Sequence, residues 1–271
     1  MPSARTPDGV DLHWEARGDG PTVVIANQFF SSPDVFGGLI DLLAEHHRVI
    51  TYDPRGIGLS TRQGPYDLAT DAADLAVLIE SACDEPAVVV SMADGSNRAV
   101  RTAAERPGLV RAIVCVAGNP VSRTAIEGGE GLAASDSVIE ALLSMMDTDY
   151  RGALRTMIST ANPDLDEESV RSRVNSGVER CPQEAAAPRM RSWIEDDALE
   201  RTRSLGDRLW ILEDGSNPWF LETTRRTAEL LPEAHVHLVE DGAVSRPEIA
   251  ASYISDITGV TDPAGARGQE S

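Results

Sequence analysis

The stretch VVVSMADGSNRAV, residues 88–100, places chemistry-bearing side chains on a tight turn between a strand and a helix. An apolar run is followed by four small residues and then by helical spacing. Asp94 is the ionisable group on this turn. At the N-terminus of a helix its carboxylate is stabilised in the charged form, which suits a general base, and the same position also suits a helix cap. Catalysis and capping by Asp94 are therefore the alternatives that the sequence offers.

The elements that must position this turn alternate between strands and helices. Apolar runs predict strands at 21–27, 48–53, 87–90, 110–118, 207–215 and 234–242, after an opening hairpin. Helical spacing separates them, and the runs do not alternate with polar residues, which indicates a parallel sheet covered on both faces. We predict one discontinuous α/β core over residues 1–120 and 204–260, a helical cap over 121–203, and a disordered tail over 261–271.

The segment YDPRGIGLS, residues 52–60, resembles the D-x-R-G-x-G-x-S signature of α/β-hydrolase-fold proteins. The likeness is to the lid-bearing group of esterases, epoxide hydrolases and dehalogenases, and it spans roughly residues 5–260 in the order of elements. It implies a mostly parallel central sheet with helices on both faces and an inserted helical cap. It also implies that Asp53, Arg55 and Ser60 tie loops together.

In that family the turn carries a nucleophile within G-x-S-x-G. The resemblance places Ala93 in the nucleophile slot, Asn217 in the acid slot and Ala243 in the histidine slot. Alanine can neither attack nor carry a proton, and asparagine cannot stabilise an imidazolium, so a covalent mechanism is predicted to be absent. A shift of one residue would make Asp94 the nucleophile, as in dehalogenases, but it puts Met92 where the turn needs a small residue.

The resemblance also implies that the backbone N–H groups of Phe29 and Asp94 form an oxyanion hole, with Asp94 as the candidate general base. Core packing is the alternative for each aromatic residue near this site. Their joint position on site-facing loops favours a pocket for a hydrophobic, flat, polycyclic ligand. The predicted binding residues are Asn27, Gln28, Phe29, Phe30, Met92, Trp193, Trp219 and Phe220.

Composition excludes several classes of function. A net charge of −20 and a pI near 4.5 argue against nucleic acid and anionic membranes as partners. The sequence has no lysine, which excludes a Schiff base, and its three cysteines match no metal or redox spacing. We expect a cytoplasmic protein without a cofactor or metal, and the sequence leaves a homodimer open. The histidines are interpreted as structural or solvent-facing: His13, His46, His47, His235 and His237.

Three hypotheses of function remain. The first is a triad-free enzyme that promotes cyclisation, C–C bond formation, isomerisation or elimination of a polyketide-like molecule in secondary metabolism, by orientation and hydrogen bonding. The second is a non-catalytic receptor or carrier that keeps the pocket. The third is a hydrolase that uses Ser91 or Ser96, for which no histidine is positioned as a base.

Overall fold

The computed structural model describes residues 2–121, 136–162, 165–216 and 218–260, except the side chains of 136, 137 and 218–220. The strands of these ranges are β1 (Ser3–Arg5), β2 (Asp11–Arg17), β3 (Thr22–Ala26), β4 (Arg48–Tyr52), β5 (Ala87–Met92), β6 (Val110–Ala117), β7 (Leu209–Asp214) and β8 (His235–Val239).

The helices of the same ranges are α1 (Gly37–Leu43), α2 (Leu68–Ala82), α3 (Asp94–Glu105), α4 (Asp136–Thr148), α5 (Tyr150–Ala161), α6 (Glu167–Arg180), α7 (Gln183–Ile194), α8 (Leu199–Arg203), α9 (Pro218–Leu230), α10 (Gly242–Ser245) and α11 (Pro247–Thr258). Short 3₁₀ turns lie at Pro33–Phe36 and Gly206–Arg208. Helices α4–α8, between β6 and β7, are called the cap below.

The strands form one sheet in the order β1-β2-β4-β3-β5-β6-β7-β8. The pairs β1–β2 and β2–β4 are antiparallel, and every other pair is parallel. Side chains of the central strands alternate between two apolar clusters. Val89 and Cys115 lie in the cluster on the α2–α3 face, whereas Val90 and Val114 lie in the cluster on the α1–α11 face. The predicted α/β class, with a mostly parallel sheet covered on both faces, is confirmed.

Some helix boundaries differ from those expected from the sequence pattern. The helical pattern around 137–159 is interrupted at Asp149, whose carboxylate accepts the Gly152 N–H at 3.0 Å and begins a new helix. Helix α7 contains Pro188, which the pattern did not predict as part of a helix. The tail over 261–271, predicted to be disordered, lies outside the described residues.

The carboxyl ends of the parallel strands meet at one edge of the sheet. The turn after β5, the loop 27–30 after β3, Gly118 after β6 and helix α10 after β8 therefore gather there. This edge holds most of the residues predicted to form a site. Its chemistry depends on where their side chains point.

Candidate functional site

Ala93 is the residue at the tip of the turn between β5 and α3. Its backbone has φ 49° and ψ −124°, a conformation that costs a non-glycine residue about 1–2 kcal/mol. The Ala93 N–H donates to the carbonyl of Ala117 at 2.8 Å, which fixes the turn to β6. Since Asp94 already has helical geometry in the first turn of α3, the strained position belongs to Ala93. The alternative register with Asp94 at the tip is not the one observed.

Two glycines permit this strained turn. A Cβ on Gly118, which has φ 129°, would lie 2.3 Å from the Ala93 nitrogen. A Cβ on Gly95 would lie 2.0 Å from the carbonyl oxygen of Ala26, at the end of β3. Neither space admits a side chain, so the turn is held tightly between β3 and β6.

The Asp94 carboxylate turns away from the helix end and towards the loop after β3. Its Oδ1 accepts the Phe29 N–H at 3.0 Å, and its Oδ2 accepts an N–H from Arg98 at 2.7 Å. Asp94 is only 4% exposed, and no side chain caps the N-terminus of α3. The Phe29 N–H, predicted as an oxyanion donor, is thus already paired inside the protein. Asp94 acts neither as a cap nor as an exposed carboxylate.

Arg98 holds this carboxylate from one turn further along α3. Its side chain is 0% exposed and also donates to the Tyr52 hydroxyl at 2.7 Å and to the Asn27 carbonyl at 3.1 Å. Burial raises the pKa of Asp94, whereas Tyr52 and Asp94 raise the pKa of Arg98 against the opposing effect of burial. Arg98 stays a cation, because its pKa is raised further above an already basic value. The short contacts from two N–H donors favour the ion pair.

The predicted aromatic residues of this edge are packed rather than open. Phe29 and Phe30 meet edge to face with centroids 5.1 Å apart, and both are buried in an apolar cluster with the cap. Trp193 is half-buried and donates its indole N–H to Asn97 of α3 at 3.1 Å. Met92 belongs to the core cluster on the α1–α11 face. These four side chains therefore pack against other residues of the protein, as the core-packing alternative expects.

The other residues predicted to form the site differ in their burial, and some lie outside the described residues. Ala243 is 1% exposed and lies in helix α10, in the same apolar cluster that Ala93 contacts. Asn27 is buried and donates its amide to the Ser31 carbonyl at 3.2 Å, whereas Gln28 is half-buried. Asn217 lies outside the described residues, as do the side chains of Trp219 and Phe220.

Ser91 and Ser96, the alternative nucleophiles, are buried beneath the turn. Their hydroxyls lie 3.0 Å apart, and Ser96 donates to the Gly118 carbonyl at 2.9 Å. Ser91 also contacts the thiol of Cys115, whose pKa burial raises to about 11. Both hydroxyls are 0% exposed and bond only within this cluster, so they serve as internal links between α3, β5 and β6.

The histidines make their contacts away from Ala93. His47 is hydrogen-bonded between the Leu43 carbonyl and Thr258, and His13 lies 3.5 Å from Glu15. His46 is exposed. His235 and His237 stack on aromatic rings at the other edge of the sheet.

The family model for the alpha/beta hydrolase fold matches residues 21–200. The chain belongs to the α/β-hydrolase-fold family. A probable oxidoreductase EphD of Mycobacterium tuberculosis is 39% identical over 97 residues, which are 34% of this chain and 16% of that protein. The 2-(acetamidomethylene)succinate hydrolase of Mesorhizobium japonicum is 27% identical over 171 residues, 63% of this chain and 59% of that enzyme. The chain thus spans less than two thirds of either relative.

Solved structures support the same fold. An esterase from Exiguobacterium antarcticum, EaEST, superposes with a TM-score of 0.78 at 17% identity, covering 95% of this chain and 98% of that one. At this identity the likeness concerns the fold. The family resemblance inferred from residues 52–60 is confirmed by the match.

Within this family member, Glu213 is a buried carboxyl that the sequence reasoning missed. It lies at the end of β7, is 3% exposed, and accepts the Gly118 N–H. Burial raises its pKa to about 7. Gly118 also lies against the Ala93 nitrogen, so a single residue, Gly118, separates the Glu213 carboxyl from the turn. A glutamate in the apolar strand sequence LWILED is the signal that could have identified it.

Buried ion pairs fix the cap to the core. Arg189 of α7 donates two hydrogen bonds to Asp71 of α2, at 2.6 and 2.9 Å, and both side chains are almost fully buried. Arg180 of α6 pairs with Asp53. Arg55 bridges Asp8 and Asp74 in the core, so Asp53 and Arg55 tie segments together as predicted. The Arg189–Asp71 pair is almost fully removed from water, whereas Arg180 of the second pair is 24% exposed.

Neither a metal centre nor a membrane span is found in the part of the chain that the structure describes. Its His, Cys, Asp and Glu side chains form no cluster of three or more that could hold a metal ion. None of its helices is long and apolar enough to cross a bilayer.

Proposed function

We propose that this chain is a non-hydrolytic member of the α/β-hydrolase-fold family, a ligand-binding protein that does not form a covalent intermediate. The observation that carries the proposal is the position of the Asp94 carboxylate, which occupies the Phe29 N–H and is held there by Arg98. A negative charge at this point would repel an anionic tetrahedral intermediate. The expected oxyanion hole at the Phe29 N–H is therefore unfit for hydrolysis, as is the nucleophile slot, which holds Ala93.

The remaining triad positions support the same proposal. Ala93 stands at the strained tip of the turn, and Ala243 is packed into the core beside it. The relatives named hydrolases share the fold, but an acyl-transfer mechanism needs a nucleophile and a base at these positions. Since Ser91 and Ser96 are buried in internal hydrogen bonds, they do not replace the nucleophile.

The general-base role for Asp94 is weakened by the same contacts. The Asp94 carboxylate is 4% exposed, and its two oxygens are directed at Phe29 and Arg98 rather than at a ligand. Gln28, Ala93, Ala117 and Gly118 are half-buried residues of this edge, so solvent reaches them. We place the hydrophobic ligand against their surface, beneath the cap.

Two measurements test this proposal. The purified protein should hydrolyse p-nitrophenyl acetate no faster than the Ala93→Gly variant does. Calorimetric titration with 1,8-dihydroxyanthraquinone, a flat polycyclic carbonyl compound, should show binding that Gln28→Trp abolishes by filling the edge. The exposed substitution Glu45→Trp, on the opposite side of the sheet, is the matched control. Ester turnover that Ser91→Ala or Ser96→Ala removes would instead establish an unusual nucleophile.

Glu213 favours a second candidate function, a triad-free enzyme that moves a proton. A carboxyl group whose pKa is raised to about 7 can donate and accept protons near neutrality, and it lies behind Gly118 at the turn. Such a group suits isomerisation or cyclisation of a polyketide-like carbonyl compound. Turnover that follows an ionisation near pH 7 and disappears in Glu213→Gln would select this function over binding alone.

A further inference from the structure

The edge of the sheet opposite Ala93 carries a concave region. A groove of about 530 Å³ lies at the amino ends of β6, β7 and β8, beside the last turns of α11. Arg111 is the second residue of β6, Trp210 the second of β7 and His235 the first of β8. We call this region the amino-edge groove. Its volume is within the range of about 300–1,000 Å³ that small-molecule sites occupy.

Four rings line the groove in two pairs. Trp210 and His235, which are partners in the β7–β8 ladder, stack with centroids 4.2 Å apart and planes 16° apart. His237, two residues further along β8, lies 4.9 Å from the ring of Tyr253 on α11. The period of two along a strand puts both imidazoles on the same face, towards α11. In a chain with 4% aromatic residues, this concentration of rings in one groove is unusual.

Two guanidinium groups border the rings. Arg208 is anchored by a 3.1 Å hydrogen bond from Nη1 to the Val110 carbonyl, and its guanidinium has no ion-pair partner among the residues that the structure describes. Arg111 is exposed, and its guanidinium forms no ion pair with the described residues. Asp207 and Asp256 also line the groove, and both are exposed to water, where an ion pair contributes little.

We propose that the amino-edge groove binds a planar aromatic anion. The ring of the ligand packs against the imidazole, indole and phenol faces, and its carboxylate or phosphate accepts hydrogen bonds from Arg208 and Arg111. Arg208 is the better anchored partner, because its hydrogen bond to Val110 fixes the guanidinium before the ligand arrives. This site is separate from the turn at Ala93. A failure of its test leaves the proposed function standing, and a failure of the proposed function leaves this site standing.

The imidazole of His237 makes the binding depend on pH. Burial and the neighbouring His235 lower the pKa of His237, so this group is neutral at pH 7. Acidification adds positive charge at His237, within the groove that Arg208 and Arg111 border. An anionic ligand should therefore bind about fivefold to tenfold more tightly at pH 5.5 than at pH 8, and a neutral one should not.

The test is calorimetric titration of the full chain with 2-naphthoate. Two probes separate the contributions: 2-naphthalenemethanol keeps the rings without the charge, and cyclohexanecarboxylate keeps the charge without the flat ring. Arg208→Gln should weaken 2-naphthoate binding about tenfold, and Trp210→Leu should weaken it at least fivefold. The matched control is Arg171→Gln, which removes an exposed arginine from the cap helix α6.

The expected pattern is saturable binding of 2-naphthoate, weaker binding of both other probes, and sensitivity to Arg208→Gln but not to Arg171→Gln. Folding of each variant is checked by its circular dichroism spectrum, and His235→Asn provides a second, more conservative change. The proposal is overturned if 2-naphthoate does not bind at millimolar concentration. It is equally overturned if Arg208→Gln and Arg171→Gln bind alike, since the anion would then be attracted by no defined site.

Discussion

The Asp94–Arg98 pair makes a quantitative prediction about stability. Asp94→Asn keeps an acceptor for the Phe29 N–H but removes the negative charge that faces Arg98, a side chain with no exposed surface. Removing one partner of a buried ion pair costs about 3–5 kcal/mol of unfolding free energy. Because Arg98 keeps its bonds to Tyr52 and Asn27, we expect the lower end, about 3 kcal/mol.

Two variants control this measurement. Glu105→Gln breaks the Arg101–Glu105 pair at the far end of the same helix, where Arg101 is 26% and Glu105 48% exposed, and should cost less than about 1 kcal/mol. Asp94→Leu combined with Arg98→Met replaces both charges with apolar groups and should lie within about 2 kcal/mol of the native protein.

Urea unfolding followed by circular dichroism gives the free energies, and the melting temperature should fall by about 6–12 °C in Asp94→Asn. Equal losses in Asp94→Asn and Glu105→Gln would refute the reasoning. A double variant that is less stable than Asp94→Asn would also refute it. The ion pair would then stabilise the fold directly, and the loss in Asp94→Asn would not come from leaving Arg98 unpaired.

Three further substitutions have defined outcomes. Glu213, with its pKa raised from 4.5 to about 7, contributes stability below pH 4.5 that is lost as the pH rises through 7, by up to about 3 kcal/mol. Glu213→Gln should therefore flatten the fall in melting temperature between pH 5 and 8, and an unchanged slope would contradict this. Gly118→Ala should cost at least about 3 kcal/mol in urea unfolding, because its Cβ would meet the Ala93 nitrogen. Arg189→Met should destabilise by about 3–5 kcal/mol and expose the cap to proteolysis, whereas adding Asp71→Leu should restore most of the loss.

The sequence predicted the fold well because the fold depends on patterns that are local in the chain. Continuous apolar runs such as 21–27 and 110–118 indicated buried parallel strands, and the strands observed are β3 and β6. The break at Asp149 was missed, since a capping aspartate inside a helical pattern looks like an ordinary polar residue of one long helix. Pro188 within α7 was missed for the opposite reason, because proline usually marks a helix boundary.

The site was less predictable because its contacts join residues far apart in the chain. Nothing near Asp94 in the sequence shows that its carboxylate meets the Phe29 N–H, 65 residues away. Arg98, four residues on, was the available signal, since an i,i+4 Asp–Arg spacing predicts a pair on one helix face. Its complete burial depends on Tyr52 and Asn27, which tertiary packing brings to it.

The mutual dependence of Asp94 and Arg98 restricts which substitutions this chain can accept. Losing either residue alone leaves an unpaired charge inside the protein, and a serine introduced at position 93 alone would lie beside a Phe29 N–H that is already paired with Asp94. Each of these single substitutions is therefore expected either to destabilise the protein or to leave it without hydrolytic activity. Asp94 and Arg98 are therefore expected to change together or not at all, whereas residues elsewhere on the surface can be substituted one at a time.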